Sequence, residues 1–121
     1  MDLTAMTRTA QELVAPGKGI LAADESTPTM AKRLAGVGLE STEERRRAYR
    51  QLLFTTPGLS RHVSGVILFD ETVRQVADDG TPMVELLVRQ GLIPGIKVDG
   101  GTRPLAMPSR IRAMFWSTRM P

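Results

Sequence analysis

The sequence predicts an α/β protein built from parallel βα units, and two observations carry that prediction. Three short runs are largely apolar without strict alternation, as in strands covered on both faces. They are Gly19-Ile20-Leu21-Ala22-Ala23, Ser64-Gly65-Val66-Ile67-Leu68-Phe69 and Gly95-Ile96-Lys97-Val98. Between them lie stretches with helical caps and helical apolar spacing, and strands alternating with helices give parallel βα units. Three strands are few for a closed barrel and thin for an open sheet, so the pattern reads as incomplete.

The elements follow in order. After the first run, Thr27 precedes Pro28, an N-cap before a proline whose missing N–H costs nothing at the first helical position. Met30, Ala31, Leu34 and Ala35 recur at helical spacing, and Gly36 or Gly38 ends the turn. Ser41-Thr42-Glu43-Glu44 reads as a capping box opening a helix to Phe54, with Arg45, Arg46, Arg47 and Arg50 as a solvated face. Asp78-Asp79-Gly80 is a turn signal, Thr81-Pro82 repeats the cap-then-proline pattern before Met83, Leu86 and Leu87, and Gly91 closes that helix. After Ala106 the chain has neither helical nor strand period and no acidic residue.

Composition narrows the function classes. The chain of 121 residues has room for one domain at most, and 41% apolar with 24% charged residues is ordinary for a globular protein. Without cysteine there is no disulfide framework and no thiolate zinc site. The net charge of +3 comes from Arg103, Arg110, Arg112 and Arg119 near the end. The body lacks the broad basic face that a nucleic-acid backbone requires. Met1-Asp2-Leu3-Thr4 does not open a signal peptide, and no apolar run approaches the roughly 18–20 residues of a membrane helix, so a cytoplasmic chain is expected.

Candidate chemistry gathers at the strand ends. Asp24, Asp70 and Asp99 each follow a strand, and carboxyl ends of parallel strands face the ligand crevice. Aspartate is also a common strand-ending and capping residue. Lys97 lies in an apolar strand, where it is either a lysine of depressed pKa that forms Schiff bases or a cation paired with Asp24 or Asp99. Gly17-Lys18-Gly19-Ile20-Leu21-Ala22 fits a dinucleotide fingerprint superficially, but its glycines lead into a strand instead of a helix. His62, the single histidine, reads as an exposed loop residue.

The motifs resemble a known family. The run from Leu13 to Thr27, with Pro16-Gly17-Lys18-Gly19-Ile20-Leu21-Ala22-Ala23-Asp24-Glu25-Ser26 at its heart, is similar to the first-strand signature of class I fructose-1,6-bisphosphate aldolases. Ala31-Lys32-Arg33-Leu34, Tyr49-Arg50-Gln51-Leu52-Leu53, Gly65-Val66-Ile67-Leu68-Phe69, Glu71-Thr72 and Gly95-Ile96-Lys97-Val98-Asp99 continue it in order, so residues 11–106 resemble the opening of that family. The resemblance implies the first three βα units of a (β/α)₈ TIM barrel, incomplete here, with its site at the strands' C-terminal ends. It implies reversible cleavage of fructose 1,6-bisphosphate to dihydroxyacetone phosphate and glyceraldehyde 3-phosphate through a lysine iminium, with no cofactor and no metal. Asp24 would be the catalytic acid beside the reacting carbons. Ser26 and Lys97 would contact substrate near a phosphate, Arg33 and Arg46 would bind phosphate, and Thr29 stands where many relatives have a serine. Pro28 replaces a small residue and stiffens that loop.

By the same resemblance Lys97 is not the Schiff-base lysine, which lies on a later strand together with the acid/base glutamates. The chain alone is therefore expected to be inactive, and full-length relatives are homo-oligomeric. Residues 1–106 are expected to form the N-terminal part of the barrel. Residues 107–121 are unmatched, expected to be disordered, and read as an off-frame continuation. The alternative function is a non-catalytic fragment that binds sugar phosphates or associates with another chain.

Overall fold

The first element, helix α1 (Leu3–Leu13), begins where the Asp2 carboxylate accepts from the backbone N–H groups of Thr4 at 3.0 Å and Ala5 at 3.2 Å. That cap satisfies two of the donors a helix start leaves unpaired. This is a computed structural model, and it describes residues 2–104 and 114–118. No helix is expected here from the sequence, although Asp2 followed by Leu3, Met6, Ala10 and Leu13 at helical spacing is a readable signal.

Strand β1 (Gly19–Ala23) coincides with the predicted run. Helix α2 (Thr27–Ala35) starts one residue earlier than expected, with Ser26 at the cap and Pro28 within the first turn. Helix α3 (Glu43–Phe54) is capped by Thr42, whose hydroxyl accepts from Arg45 N at 3.2 Å, so the cap falls one residue after Ser41. Glu43 and Glu44 occupy its first turn, where the helix dipole favours negative charge. The four-residue helix α4 (Leu59–His62) ends at His62, which is exposed but helical instead of in a loop. Strand β2 (Val63–Leu68) leads to helix α5 (Asp70–Val73). The turn at Asp78-Asp79-Gly80 forms as expected, with Gly80 at φ +84°, a conformation other residues rarely adopt. Helix α6 (Met83–Arg89) then begins after Pro82, which takes the cap position itself.

Strand β3 (Ile93–Ile96) begins two residues earlier than the run Gly95–Val98 and stops before Lys97. The reason is pairing: β1, β2 and β3 lie in that order in one parallel sheet, and β3 runs out of partner where β2 ends, at Leu68 opposite Ile96. The last bond is from Lys97 N to Leu68 O at 2.9 Å. Across the sheet Ala23 pairs with Leu68 and Leu68 with Ile96. Asp24 and Lys97, each one residue further on, therefore come level at the carboxyl end of the sheet, on the face of Ala22, Ile67 and Gly95.

The core lies between the other face of the sheet and helices α3 and α6. Ala23, Val66 and Leu68 pack there with Phe54, Met83, Leu87 and Leu92. Alternation sends Ile20 and Ala22 to the opposite face, where both are exposed. Beyond β3, strands β4 (Asp99–Pro104) and β5 (Met114–Thr118) pair antiparallel, with Thr102 opposite Trp116. Within the stretch read as patternless, Met114–Thr118 forms β5, and its Phe115, Trp116 and Thr118 are residues that favour strands. The rest of that expectation, residues 107–113 and 119–121, lies outside the described residues.

Candidate functional site

Lys97 Nζ lies 3.3 Å from Asp24 Oδ2 and 2.9 Å from Asp99 Oδ2. Two of the three strand-end aspartates thus converge on one ammonium carried by the segment after β3. The third, Asp70, pairs instead with Arg74 one helical turn along, with contacts of 2.6 and 3.0 Å, and both line the same cavity as Lys97. Hydrogen bonding to Asp99, and secondarily to Asp24, holds the Lys97 ammonium above its ordinary pKa. Lys97 and the Gly101 N–H in turn hold the Asp99 carboxyl below its ordinary value. Of the two sequence readings of Lys97, the geometry takes the ion-paired one.

A cavity of about 960 Å³ opens at this end of the sheet, with Ser26, Thr27, Glu71, Gln75, Lys97 and Asp99 among its lining. Its size is at the upper end of small-molecule sites. Of the six candidates, Ser26 and Lys97 line it directly. Asp24 touches it through Lys97. The Ser26 and Thr29 hydroxyls are 3.0 Å apart across the first turn of α2, so Thr29 supports Ser26.

The two arginines are differently placed. Arg33 is more than half exposed and ion-paired with Glu25. Arg46 forms a two-point pair with Glu71, both contacts 2.8 Å, and also donates to the Ser41 carbonyl at 3.1 Å. The pair lowers the Glu71 carboxyl and raises the Arg46 guanidinium. Since Glu71 lines the cavity and Arg46 does not, Arg46 meets the cavity by way of Glu71.

Three residues of this region escape the sequence reading: Arg50, Glu71 and Gln75. Arg50 corrects the solvated-face expectation most clearly, being 2% exposed. Its signal was its spacing, one helical turn before the buried Phe54. Gln75 is 7% exposed and neither of its side-chain polar atoms has a hydrogen-bond partner. No helix among the described residues is long and apolar enough to cross a membrane.

A parallel βα sheet with charged side chains collected at its carboxyl ends is the arrangement of α/β barrel enzymes. The family model for the glycolytic fructose-bisphosphate aldolases of class I matches residues 5–112. The chain belongs to that family. The match runs further in both directions than the motifs at residues 11–106. A probable class 1 fructose-bisphosphate aldolase of Xanthomonas campestris is 59% identical over 112 residues, covering 92% of this chain and 34% of the relative. The fructose-bisphosphate aldolase of Drosophila melanogaster is 66% identical over 97 residues, covering 79% and 27%. A solved structure of the Plasmodium falciparum aldolase, in complex with TRAP and a small-molecule inhibitor, superposes with a TM-score of 0.84 at 49% identity, covering 92% of this chain and 32% of that one. The chain thus spans about a third of the length of these relatives, and its three parallel βα units are an incomplete part of their TIM barrel.

Proposed function

We propose that this chain supplies the first three βα units of a class I fructose-bisphosphate aldolase, a carbon–carbon lyase of glycolysis. The observation that carries the reading is Lys97, held charged between Asp24 and Asp99 on the wall of the cavity at the strand ends. An ammonium kept protonated is a phosphate ligand and a poor nucleophile, because imine formation needs the free amine. Lys97 therefore binds substrate, and Ser26, supported by Thr29, offers a hydroxyl beside it. Asp24 is the catalytic carboxyl group, placed by its contact with Lys97. Arg33 and Arg46 bind phosphate by exchanging their carboxylate partners Glu25 and Glu71 for the ligand. The ligands are fructose 1,6-bisphosphate and the triose phosphates; the full-length enzyme is a cytoplasmic homo-oligomer and uses no cofactor.

Borohydride trapping tests the assignment. This chain, incubated with dihydroxyacetone phosphate and sodium borohydride, is expected to gain no covalent adduct by intact-mass spectrometry. It is expected to bind the ligand saturably through Lys97, with binding lost in Lys97→Met. A stoichiometric adduct on Lys97 would make it the nucleophile and overturn the assignment. The second reading, association with another chain, is favoured by exposed Ile20, Ile96 and Val98, at 48%, 49% and 63% exposure. Sedimentation across a concentration series separates the two.

A further inference from the structure

The Arg50 side chain reaches from α3 under the end of β1. Its Nε donates to the Ala23 carbonyl at 2.8 Å and its Nη2 to the Glu25 carbonyl at 3.0 Å. Nη2 also lies 3.2 Å from Glu25 Oε2, an ion pair without hydrogen-bond alignment. The two carbonyls belong to the residues on either side of Asp24. A chain leaving a strand has carbonyls that the sheet no longer satisfies, and buried ones need partners. A guanidinium is planar, with donors fixed in a fork, so one side chain bridges two carbonyls at a set separation. An ammonium in the same place is a point charge on a flexible stem and fixes neither.

We propose that Arg50 is the positioning residue for Asp24: by clamping the carbonyls of Ala23 and Glu25 it fixes the turn after β1 so that Asp24 Oδ2 meets Lys97 Nζ. Merely filling the core does not require this arrangement. Burial disfavours the Arg50 charge and lowers its pKa, with the Glu25 charge the largest opposing influence. An apolar residue of similar volume would be free of that cost. The proposal rests on the reading of Asp24 as the catalytic carboxyl group, and adds what holds it.

The chain has only three lysines, Lys18, Lys32 and Lys97, so ¹³C,¹⁵N-lysine labelling resolves each side chain's titration by NMR. Lys97 is held above its ordinary value in part by Asp24, and Asp24→Asn is expected to lower it. Arg50→Lys keeps the charge and removes the fork, and its added fourth lysine signal is recognised by its absence from the parent. It is expected to lower the Lys97 titration as far as Asp24→Asn does, and Asp24→Asn added to Arg50→Lys is expected to lower it no further. The proposal is overturned if Asp24→Asn leaves Lys97 unmoved, or if Arg50→Lys, folded by its amide dispersion, titrates like the parent. It is also overturned if Asp24→Asn acts equally in both backgrounds. Should Arg50→Lys not fold, Glu25→Gln decides: it leaves both carbonyl bonds, so Lys97 must titrate as in the parent. A fall matching that of Asp24→Asn would make the Glu25 carboxylate the holder in place of Arg50. No sugar phosphate enters the measurement, so its failure is separate from failure of the trapping and binding tests.

Discussion

Gly65 in the middle of β2 offers a sharp test of how α1 docks on the sheet. A Cβ at this position would lie 2.5 Å from Leu13 Cδ2 and 3.0 Å from the Ile93 carbonyl oxygen. Next to it the Ser64 hydroxyl reaches Leu13 O at 2.6 Å and Gly19 O at 3.2 Å, tying the end of α1 to the sheet. Gly65→Ala therefore combines two opposing effects. Replacing glycine within a strand gains roughly 0.5–1 kcal/mol from the lower entropy of the unfolded chain. Overpacking against Leu13 costs about 1–3 kcal/mol. The net expectation is a loss of about 0.5–2 kcal/mol. Leu13→Ala, which truncates a half-buried side chain, is expected to cost about 1–2 kcal/mol, below the range for fully buried leucines. It also removes the clashing atom, leaving only the Ile93 carbonyl close by. In that background Gly65→Ala is expected to be nearly neutral, a coupling of about 0.5–2 kcal/mol between the two positions. Urea titrations followed by far-UV circular dichroism on the four proteins of this cycle measure it. An equal cost of Gly65→Ala in both backgrounds would refute docking of α1 through Leu13.

Three further expectations follow from the geometry. Arg46 holds the Glu71 carboxyl below its ordinary value of 4.5, so the pair's stabilisation is complete above that pH and lost as pH falls through the depressed folded value. Acid titration of thermal stability should lose part of its slope in Glu71→Gln; an unchanged slope excludes the pair. Phe54, fully buried in the core, should cost about 3–5 kcal/mol on replacement by alanine. A loss under about 1 kcal/mol by the same denaturation assay would mean that the core between β2 and α3 is not formed as described. With residues 5–112 grafted into the Xanthomonas campestris relative, Asp24→Asn should lower kcat by about 10²–10⁴-fold with little change in KM, as for a positioned acid or base. A kcat within about threefold of the parent removes Asp24 from the chemistry.

Much of the architecture was legible because it is written in local chemistry. The apolar runs at Gly19–Ala23 and Ser64–Phe69, the proline within the first turn of α2 and the Asp78-Asp79-Gly80 turn each depend on neighbours in sequence. Boundaries slipped by a residue or two where the deciding partner is distant. β3 ends at Ile96 because β2 ends at Leu68, and no window around Lys97 contains that fact. The tail was harder still, since β5 is defined by pairing with β4 and has no period of its own.

The candidate site divides in the same way. The sequence by itself determined the βα order, the strand-end positions of Asp24, Lys97 and Asp99, and, through the long run from Leu13 to Thr27, the family resemblance. The resemblance already set Lys97 apart from the Schiff-base lysine, but only the tertiary structure supplied the partners that keep it charged, because Asp24 lies 73 residues away and meets it through the register of three strands. It alone turned Arg50 from a surface arginine into a buried clamp on Ala23 and Glu25, and joined Arg46 to Glu71. Spacing along a chain specifies which residues share a helix face or strand face. What a charged side chain does there depends on which opposite charge and which unpaired carbonyl folding brings within about 3 Å, since burial disfavours a charge until such partners stabilise it.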